Sequence, residues 1–172
     1  MHTLCTHYTP WPFKVKPLSP EQRTDRQRIR DTMLRMLARR EHSEAEVRQK
    51  MQMRGFDMVI VQTELADFQQ RNWQNDIRFT EQFVRQRIAR GQGEVRIRYE
   101  LRMQQISDEL INAAIGEQDV DWFELAKQTH DRRFGEPNSL TLKQKQQHQR
   151  LLQSKGFTSD QIQFACPCKY HR

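Results

Sequence analysis

The chain has 172 residues, only 35 % of them apolar, and a mean hydropathy of −0.97. Ordinary domains carry about 45–50 % apolar residues, so one thick core is excluded and several thin ones are favoured. The net charge of +7 and pI near 9.7 suit nucleic acid, an acidic protein surface or anionic lipid without choosing among them; the absence of any 18-residue apolar run excludes a membrane-spanning helix.

Taken in order, residues 1–20 form a Pro-rich tail in which Pro10, Pro12, Pro17 and Pro20 prevent a helix, while Trp11 and Phe13 are available to dock. The first repeat is expected over 21–73. A helix opens after Ser19-Pro20, with Ile29, Met33, Met36 and Leu37 on one face. Ser43-Glu44-Ala45-Glu46 reads as a capping box for a second helix that Gly55 ends, and a third carries Ile60, Val61, Leu65 and Phe68. The second repeat, 74–118, opens with Asn75-Asp76 ahead of Phe79, Phe83 and Val84. It breaks at Gly91-Gln92-Gly93, resumes through Ile97 and Leu101, and ends on a helix started by Ser107-Asp108. The third repeat, 119–166, has Asp121 as a cap, a break at Gly135-Glu136-Pro137-Asn138, a helix over 140–155, and a last helix capped by Thr158-Ser159-Asp160. Residues 167–172 are a second tail.

One spacing recurs through these units. Val47-x3-Met51-x3-Gly55-Phe56 returns as Ile97-x3-Leu101-x3-Gln105-Ile106 and again as His148-x3-Leu152-x3-Gly156-Phe157. A period of about 50 residues predicts three tandem three-helix repeats, all-α, packed into an elongated, curved molecule. Such a molecule offers a long surface to a large partner.

Chemical motifs are absent. There is no phosphate-binding loop, nucleophile elbow, zinc-protease pair or calcium loop, and Gly91-Gln92-Gly93 is too short for a dinucleotide fingerprint. No enzyme, cofactor or metal is expected. Cys5, Cys166 and Cys168, an odd count near the two ends, fit a reducing compartment. Cys166-Pro-Cys168 with His171 lacks the second ligand pair that a zinc knuckle needs. His42 precedes a cap and His148 takes a repeat anchor, so packing or surface roles are expected for both. The first Lys comes at position 14 and no apolar run follows the initiator, so no signal peptide is read and the cytoplasm is the expected location.

The strongest polar feature is the set Arg78, Arg85, Arg87, Arg90, Arg96, Arg98 and Arg102, opposed only by Glu81, Glu94 and Glu100, a local net of +4. Arginine suits bidentate contacts to phosphate or carboxylate. Arg85 and Arg96 are placed to flank the Gly91–Gly93 turn, where helix-N-terminal amides would add positive field. These seven are the candidate partner-binding residues. A second set, Arg26, Arg28, Arg30, Arg35, Arg39 and Arg40, is diluted by Asp25, Asp31 and Glu41. Tyr99 is the one aromatic expected to be exposed beside the arginines.

In combination the motifs resemble a known family. Ala38-Arg39-Arg40-Glu41-His42-Ser43-x2-Glu46-Val47-x2-Lys50-Met51-x3-Gly55-Phe56 is similar to the opening motif of the bacterial RecX regulatory proteins. Asn75-Asp76-Ile77-Arg78-Phe79, Gly91-Gln92-Gly93-x2-Arg96-Ile97-x2-Glu100-Leu101, Asp121-Trp122-x2-Leu125-Ala126 and Lys155-Gly156-Phe157 resemble later motifs of that family, over residues 28–165. The chain departs from the pattern at Thr80, Gln105-Ile106 and His148. The resemblance implies binding to the RecA filament on DNA and inhibition of its ATPase, strand-exchange and coprotease activities, with no catalytic residue and no cofactor. It leaves filament capping and groove binding both open, as it does direct contact with single- or double-stranded DNA. The alternative from the residues alone is a stand-alone basic DNA-binding module. A monomer is expected, because the units bury their apolar faces against one another.

Overall fold

A computed structural model of the chain describes residues 20–135 and 141–166, with side chains from Thr24 onward. Trp11, Phe13, Cys5, Cys168 and His171 lie outside the described residues. Within them the chain folds as α1 (Pro20–Leu37), α2 (Glu44–Met53), α3 (Met58–Gln70), α4 (Asp76–Ala89), α5 (Glu94–Met103), α6 (Asp108–Gly116), α7 (Trp122–Phe134), α8 (Leu142–Lys155) and α9 (Ser159–Ala165), with no strand.

The recurring motif is a helix-ending device. In α2 the Gly55 amide donates to the Gln52 carbonyl at 2.9 Å and the Phe56 amide to the Met51 carbonyl at 3.3 Å. The same two bonds close α5 (Gln105 to Arg102, Ile106 to Leu101) and α8 (Gly156 to Gln153, Phe157 to Leu152). This is a Schellman ending, which needs a left-handed residue after the cap. Gly55 and Gly156 supply it at φ 74° and 89°, and Gln105 adopts it at φ 59° in place of glycine. Each motif then drops its apolar residue back onto the anchors: Val47, Met51, Ile97, Leu101, Leu152, Ile106 and Phe157 are all buried.

Each unit has its own apolar cluster. Ile29, Met33, Met51, Leu65 and Phe68 lead the first, and Val84, Ile97, Leu101 and Ile111 the second. The third is thinner. Its buried members are Ala126, Leu152, Phe157, Ile162, Ala165 and Cys166, with buried His130 and His148 making up the volume. His148 thus fills an anchor that is Val or Ile in the other units, stacked on the Phe134 ring at 3.6 Å between centroids.

Two details differ from the sequence expectations. The capping box at Ser43 is half formed. Its hydroxyl accepts from the Glu46 amide at 3.0 Å, but the Glu46 carboxylate turns to Arg40 and to Lys50 at 2.8 Å, because two cations outbid one neutral amide. Complete boxes occur instead at Thr141–Gln144 and Thr158–Gln161. Helix α8 begins at Leu142, with Thr141 as its N-cap.

Sequence reading also missed a buried carboxylate. Glu64 on α3 is fully enclosed and held by Arg26 and by Arg30 (2.8 Å), both from α1. Arg30 further bonds Asp67 at 2.8 Å and lies over the Phe68 and Trp73 rings.

His42 makes the first unit acid-sensitive. Burial pushes its imidazole below the ordinary 6.5, outweighing the backbone bond to Arg40 and the charge of Glu46; Arg40 and Lys50 push the same way as burial. Its Nδ1 donates to the Arg40 carbonyl at 2.9 Å while Lys50 approaches Nε2 at 3.2 Å. A histidine with a depressed folded-state value favours unfolding once the unfolded chain takes up protons. The urea midpoint should therefore be constant above about pH 6.5 and fall below it. A further fall is expected in the carboxylate range. Burial would raise the Glu46 carboxyl, but bonds from Arg40 and Lys50 hold it low, and Arg71 and Arg30 hold Asp67 low. His42→Gln should shrink the first phase, leaving the share that buried His148 contributes for the same reason, and keep the second.

Candidate functional site

The seven candidate arginines are not gathered on one face. At about 100° per residue, Arg96 and Arg98 point to opposite sides of α5. Arg87 on α4 and Arg96 share the Glu100 carboxylate, at 2.9 and 2.7 Å. The Arg87 contact is poorly aligned for a hydrogen bond and acts as a charge contact, its guanidinium lying 4.4 Å above the Phe83 ring. On the other side, Arg98 bonds Glu94 at 2.7 Å and Asn112 at 2.6 Å, and Arg102 bonds Asp108 at 2.8 Å. Arg78 reaches back to the first unit, bonding Glu41 at 2.9 Å and Asn72 at 2.7 Å. Arg85 stands 3.9 Å from Glu81 and is 55 % exposed. Arg90 has no ion-pair partner among the described residues.

The Gly91–Gly93 turn is buried rather than an open anion site. The Gly93 amide donates to the Lys155 carbonyl at 2.9 Å and the Val95 amide to the Gly156 carbonyl at 3.2 Å. The free amides at the start of α5 are thus met by the free carbonyls at the end of α8, positive helix end against negative. Arg96 completes this joint by donating to the Ser154 carbonyl at 2.8 Å. Space is tight enough that a Cβ on Gly93 would lie 2.3 Å from the Gly156 oxygen, one on Gly156 2.3 Å from Arg96 Cβ, and one on Gly91 2.4 Å from Thr129 Oγ1.

Beside the joint lies a groove of about 460 Å³ lined by Arg90, Arg132, Arg133 and Lys155, with Thr129 and Leu151 as its floor. No carboxylate lines it, and none of its four cations has an ion-pair partner among the described residues. A second groove, between α1 and α2, holds Arg35, Arg39 and Arg54 together with Arg40 and Lys50, which Glu46 already engages. Unpaired cations on rigid helices are suited to phosphate or carboxylate oxygens. Arg132, Arg133 and Lys155 were not singled out as partner-binding by the sequence reading, because they lie 42–65 residues from Arg90 and meet it only through the docking of the Gly91–Gly93 turn and the start of α5 against α7 and the end of α8. Tyr99 is exposed as expected.

Models of the first, second and third three-helix domains of RecX match residues 30–66, 75–115 and 119–166. Over 137 residues the chain is 39 % identical to the regulatory protein RecX of Halorhodospira halophila, spanning 80 % of this chain and 85 % of that one. Over 136 residues it is 33 % identical to the Vibrio vulnificus protein of the same name, spanning 79 % and 89 %. The crystal structure of RecX from Lactobacillus salivarius has a TM-score of 0.66 at 17 % identity, covering 83 % of this chain and 95 % of that one. A second, titled a crystal structure of regulatory protein RecX, has a TM-score of 0.69 at 22 % identity over 89 % and 81 %. These two bear on the fold alone. With three domain matches in register with the three helical units, and relatives this similar over most of both chains, the protein belongs to the RecX family of regulatory proteins.

Proposed function

We propose that this chain binds the RecA filament assembled on DNA and inhibits its ATPase, strand-exchange and coprotease activities. Membership of the RecX family supports the partner, and the unneutralised groove between the second and third units supports the mode. Arg90, Arg132, Arg133 and Lys155 meet phosphate or acidic side chains of the filament, with Arg85, exposed and only loosely paired with Glu81, as a further cation on α4. Arg78 and Arg96 tie the second unit to the first and the third, Arg87, Arg98 and Arg102 brace the second unit internally, and all five keep a share of their charge exposed. Binding through DNA phosphate alone is the second reading, favoured by the absence of any carboxylate in the groove.

Charge reversal tests this. Arg90→Glu, Arg132→Glu and Arg133→Glu combined should weaken inhibition of RecA's ATPase at least tenfold with the circular-dichroism spectrum unchanged, whereas Arg28→Glu on α1 should leave it intact. Undiminished inhibition in the triple variant would remove the groove from the contact. If DNA phosphates dominate, affinity for single-stranded DNA without RecA should fall with salt at a log–log slope of about −3, from four cations at ~0.7 each.

A further inference from the structure

The third unit holds a buried cluster of potential metal ligands that the basic groove does not involve. His130 on α7, His148 on α8 and Cys166 at the end of α9 bring one ligand atom each within 4.8 Å of one another, all buried. His130 Nε2 faces His148 Nδ1 at 3.0 Å, and His130 Nδ1 is bonded to the Asp131 carboxylate at 2.9 Å.

We infer that His130, His148 and Cys166 form a transition-metal site, specific for zinc, that staples the three helices of the third unit together. Two imidazoles and a thiolate are the donor set zinc takes, and they discriminate against magnesium, calcium and manganese. Tetrahedral bonds of about 2.0–2.3 Å place ligand atoms about 3.3–3.7 Å apart, so the two rings separate by a few tenths of an ångström and Cys166 Sγ closes on them by up to about 1 Å. The Asp131 carboxylate occupies the position from which an outer partner fixes the tautomer of a metal-bound histidine and raises its basicity. It holds the His130 proton on Nδ1 and leaves Nε2 with a lone pair. His148 Nδ1 donates to that lone pair at 3.0 Å. On ligation its proton moves from Nδ1 to Nε2, and Cys166 Sγ releases one proton to solvent, so one proton leaves per zinc bound. Phe134, stacked on His148, covers one side of the cluster, and a water molecule takes the fourth tetrahedral position.

The staple also answers a deficit. Cys166 occupies the place in the third core where the first two units carry Leu65 and Ile115, and Ala126 adds little volume beside it. Metal binding contributes folding free energy where an apolar core is thin. The inference does not rest on the RecA reading.

The test uses the full chain, equilibrated with zinc and desalted, then with cobalt(II) as an optical probe. One zinc per chain should be retained. The cobalt form should show thiolate-to-metal charge transfer in the near ultraviolet and the visible bands of a tetrahedral ion. Zinc should raise the thermal midpoint, and a chelator should reverse the rise. Cys166→Ser should abolish the charge-transfer band, and Asp131→Asn, which leaves the packing intact, should weaken zinc binding about 10–100-fold. A chain that retains no zinc, or shows neither the band nor the shift, would overturn the site. So would equal retention by the Cys166→Ser, His148→Gln double variant, since the metal would then sit elsewhere.

Discussion

Gly93→Ala is expected to loosen the joint between the second and third units and to cost both stability and function. Gly93 has an ordinary extended conformation (φ −79°, ψ 160°), so alanine is not strained there by its own backbone. The damage comes from the neighbour. The new methyl would meet the Gly156 oxygen at 2.3 Å, its carbonyl carbon at 2.5 Å and the Phe157 nitrogen at 2.6 Å, all main-chain atoms of a closed helix end. Nothing there has a rotamer to change, so α8 must move. Overpacking of this kind costs about 1–3 kcal/mol. The shift also breaks the Gly93–Lys155 and Val95–Gly156 bonds and carries Lys155 away from Arg90. Thermal unfolding should fall by several degrees, and inhibition of RecA should weaken together with it. Two glycines serve as controls. Gly55→Ala meets no atom within 4 Å and carries only left-handed strain at φ 74°, about 1–2 kcal/mol. Gly116→Ala, in open space at the end of α6, should be neutral or slightly stabilising. If Gly93→Ala behaves like Gly116→Ala, the joint is not closed as described.

Stripping Glu64 of its cations should have the larger effect on stability. Glu64 is fully enclosed between α1 and α3, and Arg26 and Arg30 are its ion-pair partners. Arg26→Met with Arg30→Met keeps the aliphatic stems that pack on α3 and Phe68 but strands the carboxylate. Removing the partners of a buried charge costs about 3–5 kcal/mol. Adding Glu64→Leu to that pair should restore most of the loss, because an apolar replacement of a whole buried ion cluster is often neutral or better. Arg71→Ala breaks a mostly exposed pair with Asp67 at 2.9 Å and should cost under about 1 kcal/mol. Urea midpoints of the four proteins decide the matter. A double variant as stable as the parent would mean that Glu64 finds water or a proton at little cost.

These two cases show where the sequence was legible. The helices and their ends were, because caps and Schellman glycines act within six residues: Asn75, Ser107, Asp121 and Thr158 all cap as their residue types suggest. Glu64 was legible in principle, lying three residues after Val61 and four before Phe68 on the apolar stripe, but a carboxylate reads as solvated unless its phase on the helix is checked. The scatter of the seven arginines follows from the same 100° step. The role of Gly91 and Gly93 was not legible. A Gly-Gln-Gly turn announces a break, while its partner at Gly156 is more than 60 residues away and is chosen by how the third unit docks. The assembly of Arg90 with Arg132, Arg133 and Lys155, and of His130 with His148 and Cys166, has the same origin. Side chains from separate helices converge only once packing is known, and neither set has a spacing that sequence alone can recognise.

The most direct test is the single-strand-dependent ATPase rate of RecA, titrated with the full chain at fixed DNA and salt. The rate should fall as the chain is added. Loss well below one chain per RecA marks capping of filament ends, and loss only near equimolar marks binding along the groove. A rate unchanged at several-fold molar excess over RecA, with the chain folded, would contradict the proposed function.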